Sequence, residues 1–454
     1  MTSSHTMESV IQAFEAVDQG HVFRFLDRLN PQQREALLKQ ALSVDLDEVL
    51  ALYKASDEPA AHRDVGPPGN ELIRRESSDD HRRLRRSARE RGEEEVSAGH
   101  VAVVVAAGGQ GTRLGSPAPK GMWPCGPATG KSLLQWHAEK TLFWAQKFGR
   151  PIPFILMVSE ATRDATQRFL RWHKYFGLDP TWVKLACQGS LPSVDAAGKL
   201  ILSAPDRIAM SPNGHGGLYR ALRDSKLLDL LSDCGVRTLS YVQVDNPLIL
   251  PIDPVFLGFH LRRESLISSK AVRKTDPSER VGVFATVNGR SAILEYSELT
   301  EAQSKRADPD GALTYGMGSI AAHCIDLEFA LRMADEGLPI HRAHKKVPYV
   351  NEQGDAIIPT EPNATKYETF LFDAIPLAAR SLVMETPRRA EFSPIKNAEG
   401  NDSPATARQD IEASFRRWME GIGKPVPSGA LEIPPLTAPD EYMYRVANGR
   451  SGDR

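Results

Sequence analysis

Seven consecutive apolar residues, Val101 to Ala107, run straight into a segment crowded with glycine: Gly108, Gly109, Gly111 and Gly115 within VAVVVAAGGQGTRLGSPAPK. An uncharged run without alternation is the pattern of a strand buried on both faces of a parallel sheet. Such a strand needs partners on both edges and helices on both faces, which commits the chain to an α/β architecture. The glycines admit positive φ and let a ligand come close to the backbone. Successive N–H groups in such a turn form a concavity suited to phosphate oxygens. Arg113 and Lys120 set positive charge beside it. The expectation is a nucleotide-phosphate site at the carboxyl end of a buried strand, where open α/β sheets hold their ligands.

Two common phosphate motifs do not fit. The dinucleotide fingerprint is G-x-G-x-x-G, whereas Gly109, Gly111 and Gly115 are spaced one residue too far. A P-loop needs four residues between its glycines, and GPATGKS at 126–132 has three, with Cys125 where the first glycine would fall.

Composition narrows the class. At 454 residues the chain exceeds one small domain. A hydrophobic share of 41% and a charged share of 25% are ordinary for a soluble globular protein. A net charge of −2 gives no whole-protein attraction to nucleic acid or an anionic membrane. Cys125, Cys187, Cys234 and Cys324 lie far apart, which argues against a disulfide framework or a zinc site and fits a reducing cytoplasm. The N-terminal MTSSHTMESVIQAFEAVDQG lacks a basic start and a long apolar core, so no secretory signal is expected. No apolar run reaches membrane-spanning length.

Residues 7 to about 55 read as helices, with Pro31 at a first turn and Asp45 placed to cap DLDEVLALYKA. From 56 to 98, Pro, Gly, Ser and charge dominate. Arg82, Arg83, Arg85 and Arg86 there are balanced at once by Glu93 to Glu95, so a solvated helix or polar linker is expected; the tracts 56–98 and 446–454 have the composition of disordered segments. Between 99 and 400, strand-like runs at 101–107, 153–158, 182–187, 238–244, 281–287 and 291–297 alternate with helical patterns, which indicates a parallel or mixed sheet. The division expected is 1–98 helical with a linker, 99–400 catalytic, and 401–454 a short, proline-rich C-terminal region ending in a frayed ANGRSGDR.

The stretch GGQGTRLGSPAPKGMWPCGPATGKSLLQ carries G-x-G-T-x-[LM]-G-x4-K and resembles the UDP-glucose pyrophosphorylase family, most closely its UDP-N-acetylhexosamine branch. The resemblance implies a Rossmann-like nucleotidyltransferase core of GT-A type, and uridylyl transfer from UTP to a sugar 1-phosphate with release of pyrophosphate. N-acetylglucosamine 1-phosphate is the expected acceptor, and glucose 1-phosphate or a broader range the alternative. A non-catalytic UDP-sugar sensor is the remote alternative. It implies Mg²⁺ as cofactor, and no nucleic acid or membrane partner.

The same resemblance assigns roles by position. Arg113, Lys120 and Lys396 (in EFSPIKN) are the catalytic cations; Gly108, Gly109, Gly111, Thr112 and Gly214 line the nucleotide. Gln188 reads the uracil edge, where an amide offers one donor and one acceptor. Asp245, ending the run SYVQVDNP, holds Mg²⁺ jointly with substrate phosphates; Asp253 is structural. His215, Gly216, Gly282, Glu295, Ser319, Phe370 and Phe372 fall to the sugar, and Glu295 suits sugar hydroxyls. The helical LYRALRDSKLLDLL after the glycine loop offers its first amides to an anion. Phe370 and Phe372, two residues apart, face one side if they lie on a strand. Two positions depart from the hexosamine pattern: His215 and Ser319 stand where that branch usually has Asn. The usual C-terminal β-domain of the family is here expected to be cut short. His341 and His344 lack the spacing of a zinc motif.

Overall fold

The computed structural model describes residues 6–54, 64–69 and 71–452. The described residues form two compact units, each assembled from three separated segments: Arg63–Gln188, Leu218–Gly337 and Phe372–Arg454 in the larger, Met1–His62, Gly189–Gly217 and Leu338–Leu371 in the smaller. These units do not follow the sequential division at residues 98 and 400.

The larger unit is built on one sheet. Its strands are β1 (Val65–Gly66), β2 (Leu72–Ile73), β3 (Val101–Ala106), β4 (Phe154–Val158), β5 (Val183–Cys187), β6 (Thr238–Gln243), β7 (Ile267–Arg273), β8 (Val283–Val287), β9 (Arg290–Leu294), β10 (Met317–Asp326) and β11 (Ser381–Glu385). The order is β2-β11-β7-β10-β6-β3-β4-β5, with β8 joining β1, β9 and β10 at the side. Strands β6, β3, β4 and β5 are parallel, whereas β10 runs antiparallel to both β6 and β7. The sheet is therefore mixed, and β3 is central. Val101 to Val105 are all buried, as an apolar run without alternation requires.

The arginine-rich segment is the main departure from expectation. Its described part forms the helix Asp79–Ser97, capped by Ser78, and it is packed rather than a solvated linker. Ala88, Arg89, Gly92 and Val96 are buried on one face, against the helix Pro254–Arg262. A Cβ at Gly92 would lie 1.9 Å from the carbonyl oxygen of Pro254, and one at Gly258 would lie 1.8 Å from that of Ala88. The helices touch backbone to backbone, a contact that leaves no hydrophobic stripe to read. The C-terminal stretch also packs into this unit's core, through helices Pro404–Glu420 and Glu441–Ala447. Val446 and Ala447, the first residues of the tract 446–454, close the second of them.

In the smaller unit, helices Met7–Ala16, Pro31–Leu42 and Leu46–Lys54 form as expected, with Pro31 at the first turn and the Asp45 carboxylate accepting from Glu48 N–H at 2.9 Å. Their apolar face (Val10, Phe14, Leu37, Val49) shares a core with Val194, Leu200, Ile208, Val350 and Tyr367. Short antiparallel pairs, including Ile340–Lys345 with Ala364–Thr369, complete it.

Candidate active site

Parallel pairing of β3 and β6 sets Ala106 opposite Gln243, so the glycine turn and Asp245 leave the sheet side by side. The turn folds back on itself. Gly111 N–H donates to Ala118 O at 2.8 Å and Lys120 N–H to Gly109 O at 3.0 Å, around a short 3-10 turn at Thr112–Leu114. Gly115 ends that turn at φ +75°, which a side chain would disfavour. Lys120 Nζ reaches Asp245 Oδ2 at 2.9 Å, both side chains largely shielded from solvent. Thr112 and Arg113 stand exposed at the rim.

Gln188 follows β5 and is tied in by its N–H to Val158 O at 2.8 Å. Its side chain lies over Gly108, where a Cβ would sit 2.8 Å from Gln188 Oε1. A Cβ at Gly109 would meet nothing within 4 Å. Gly108 is thus required by a packed amide, and Gly109 borders open space.

Three residues that sequence reasoning missed brace Asp245. Asn246 Nδ2 donates to Glu391 O at 2.7 Å and its Oδ1 accepts from Ser393 N–H at 3.1 Å. With Ile395 N–H on Asp245 O at 2.8 Å, this draws the FSPIK segment, and Lys396 in it, to the carboxyl end of β6. From the helix Leu133–Phe148, His137 Nε2 bonds Val244 O at 3.1 Å, while Lys140 Nζ donates to the carbonyls of Pro247, Leu248 and Ile249 at 2.7, 3.1 and 2.8 Å. Residues on both sides of Asp245 are therefore pinned by one helix. Burial lowers the Lys140 pKa to about 7 and that of His137 to about 3. Below this loop, Lys270 is buried between Asp253 (2.7 Å) and Glu391. Burial acts to raise the Asp253 pKa, yet the adjacent Lys270 ammonium holds it below the usual carboxylate range. Asp253 also caps the helix Pro254–Arg262, a structural place.

The hairpin β8–β9 turns at Asn288-Gly289, both at positive φ, as that dipeptide favours. Its last pair is Val283 with Leu294, so Gly282 and Glu295 flank its open end. A Cβ on Gly282 would lie 3.5 Å from Glu295 Oε1, and Gly282 O accepts from Ser319 N–H at 2.8 Å. Gly282, Glu295 and Ser319 are brought together.

In the smaller unit, Gly214 (φ +82°) and the 3-10 turn His215–Gly217 press on the end of the strand Ala364–Thr369. A Cβ at Gly214 would fall 2.3 Å from Thr369 O, and one at Gly216 2.8 Å from Phe370 N. His215 Nδ1 accepts from Leu371 N–H at 3.1 Å, which places the proton of the neutral ring on Nε2. Burial lowers its pKa to about 4, so it is neutral near pH 7. Phe370 lies between His215 (5.6 Å) and His341 (4.8 Å).

Two local expectations do not hold. Phe370 and Phe372 do not share a strand face, because the strand ends at Thr369 and Phe372 lies in the 3-10 helix Leu371–Leu377. The long helix expected after Gly217 is broken into Leu218–Asp224 and Leu227–Asp233 by Lys226 at φ +57°. The GPATGKS loop is no P-loop: the amides of Ala128 and Thr129 hold the Glu432 carboxylate at 3.0 Å each.

Residues 54–401 match the family model described as UTP–glucose-1-phosphate uridylyltransferase. UDP-N-acetylhexosamine pyrophosphorylase-like protein 1 of Homo sapiens is 37% identical over 437 residues, which cover 92% of this chain and 86% of that protein. UDP-N-acetylglucosamine pyrophosphorylase of Saccharomyces cerevisiae is 39% identical over 354 residues, 75% of this chain and 74% of its own. Among solved structures, the uridine diphosphate N-acetylglucosamine pyrophosphorylase of Trypanosoma brucei, in complex with an inhibitor, superposes with a TM-score of 0.83 at 27% identity, covering 99% of this chain and 96% of that one.

Proposed function

The chain belongs to the UTP–glucose-1-phosphate uridylyltransferase family, and from that premise we propose that it joins UTP to N-acetylglucosamine 1-phosphate, giving UDP-N-acetylglucosamine and pyrophosphate. The acceptor follows from relatives named for that sugar nucleotide. The observation that carries the reaction is the Lys120–Asp245 pair at the carboxyl ends of two adjacent parallel strands, beside a glycine turn.

A sugar-phosphate oxygen attacks the α-phosphorus of UTP in line, and the bond to the β-phosphate oxygen breaks. That attacking oxygen is already ionised, so positioning and charge neutralisation take the place of a general base. Arg113 and Lys120 serve the triphosphate, Lys396 the sugar phosphate, and Gln188 the uracil edge, with Gly108, Gly109, Gly111 and Thr112 lining the nucleotide. Gly282, Glu295 and Ser319 serve the sugar. Gly214, His215, Gly216, Phe370 and Phe372 keep the nucleotide and sugar roles that the resemblance assigns them.

Asp245 is a single shielded carboxylate, which fits Mg²⁺, an ion that takes one or two carboxylates and fills its sphere with phosphate oxygens and water. Held there, Mg²⁺ would neutralise phosphate charge as pyrophosphate departs. Lys120 then has to exchange its carboxylate partner for phosphate.

Pyrophosphate release from UTP in the presence of Mg²⁺, with N-acetylglucosamine 1-phosphate against glucose 1-phosphate, tests the reading. A preference for the acetylated sugar of about tenfold or more in kcat/KM is expected. A preference for glucose would transfer the assignment to that sugar, the reading favoured by Ser319 beside Glu295. No release with either would sink uridylyl transfer itself.

A further inference from the structure

The arginine-rich helix Asp79–Ser97 has no part in the reaction above, yet it lines a cavity of its own. Arg75, His81, Arg82, Arg85, Arg89 and Arg445 border a space of ≈ 590 Å³. Glu76 and Glu441 are the carboxylates among its lining residues, so five guanidiniums face two negative charges.

Existing contacts do not use up these donors. Arg82 pairs with Asp79, Arg445 with Glu441 at 3.2 Å, and Arg89 Nη2 with Asp440 at 3.3 Å; Arg89 Nη1 lies 3.6 Å from Glu93 Oε1, beyond hydrogen-bond reach, and the guanidinium sits 3.7 Å from the Tyr442 ring centre. Arg89 Nη1 and His81 Nε2 are buried without a hydrogen-bond partner, on residues only 8% and 7% exposed. Arg85 makes no hydrogen bond or salt bridge among the described residues. Buried polar atoms left unpaired are costly and rare in native structures. Two such donors, with the half-buried Arg85 guanidinium beside them, line one concave wall and call for an acceptor with several oxygens and more than one negative charge.

We infer that this cavity is a second anion site, which takes phosphate either as the free ion or as the head of a small phosphomonoester. Guanidinium forks match phosphate oxygens in pairs, and His81 completes the set as the Nε2–H tautomer.

The test is equilibrium dialysis of labelled inorganic phosphate, and separately of glycerol phosphate, against the full chain carrying Lys120→Gln and Lys396→Gln to disable the nucleotide site. One phosphate per chain is expected to remain bound. Adding Arg85→Gln should weaken it by about tenfold or more, the worth of one charged hydrogen bond. Arg75 is exposed, so Arg75→Gln gives a second variant with little risk to folding, and it should weaken binding as well. Uptake of both probes assigns any phosphate head; uptake of inorganic phosphate alone assigns the free ion. Binding unchanged by both arginine variants, or absent once Lys120 and Lys396 are replaced, overturns the proposal.

Discussion

Lys120 carries the sharpest single-residue prediction. Its ammonium is fixed 2.9 Å from Asp245 in a shielded place, where a charge directed at developing phosphate charge counts most. Lys120→Ala should lower kcat by about 10² to 10³, the range for loss of one transition-state donor; steady-state pyrophosphate release reads it, and a loss below about tenfold would remove Lys120 from its role. Gly108 and Gly109 make a matched pair. Alanine at 108 drives into the Gln188 amide and should raise KM for UTP with little change in the fold, whereas the methyl at 109 enters open space. If 109 proved the more harmful in the apo protein's stability, the packing account would be wrong. Lys120 stood out from the residues themselves, as a charge beside glycines at a strand end, whereas Gln188 and Asp245 were picked out through the family resemblance; the structure brings Asp245 to Lys120 and Gln188 over Gly108. His137, Lys140 and Asn246 were not legible. A lone histidine and lysine in a helix carry no signal, and their partners are backbone carbonyls more than 100 residues away.

At the scale of elements, the contact between helices Asp79–Ser97 and Pro254–Arg262 was invisible in sequence for a different reason. Helix packing is usually read from an apolar stripe, but here the face is made by Ala88, Gly92 and Gly258, whose contribution is the absence of side chain. Charge on the other faces then resembles a solvated linker. The strands β3, β4, β5, β6 and the hairpin β8–β9 were legible from apolar runs and from Asn288-Gly289. β7 and β10 were not, since Ser268, Ser269 and Lys270 interrupt the first and His323 the second; those polar groups are satisfied inside the fold, as Ser269 is by His323 at 2.9 Å. Gly258→Ala should destabilise the protein by about 3 kcal/mol, at the upper end for overpacking, because a backbone carbonyl 1.8 Å away can yield only by moving its helix. Urea denaturation checks this, and a midpoint unchanged from the parent would mean the helices are not in contact at that point.

For the molecule as a whole, buried histidines set an acid limit. His137 and His260 are buried, and burial lowers their pKa from the ordinary 6.5 to about 3 and about 4. Between those values and 6.5 the unfolded chain binds more protons than the folded one, so stability falls as pH drops through that window and is restored above it. At pH 4 each contributes a loss of roughly 3 kcal/mol. Thermal unfolding followed from pH 7 to 4.5 should show the decline, and His137→Gln, which keeps an amide donor for Val244 O, should flatten it; an equally steep decline in that variant would assign the acid sensitivity elsewhere. Unit membership was the least legible property at this scale, because helices that look autonomous between residues 7 and 54 find their apolar partners near 200 and 350. That interleaving has a temporal side. On a ribosome, the smaller unit is not complete until Leu371 has been made, about 309 residues after His62. At typical elongation rates roughly 15 to 60 s pass between His62 and the last partners of Phe14, Leu37 and Val49, near Tyr367, an interval in which a chaperone that holds short amphipathic helices has a defined client.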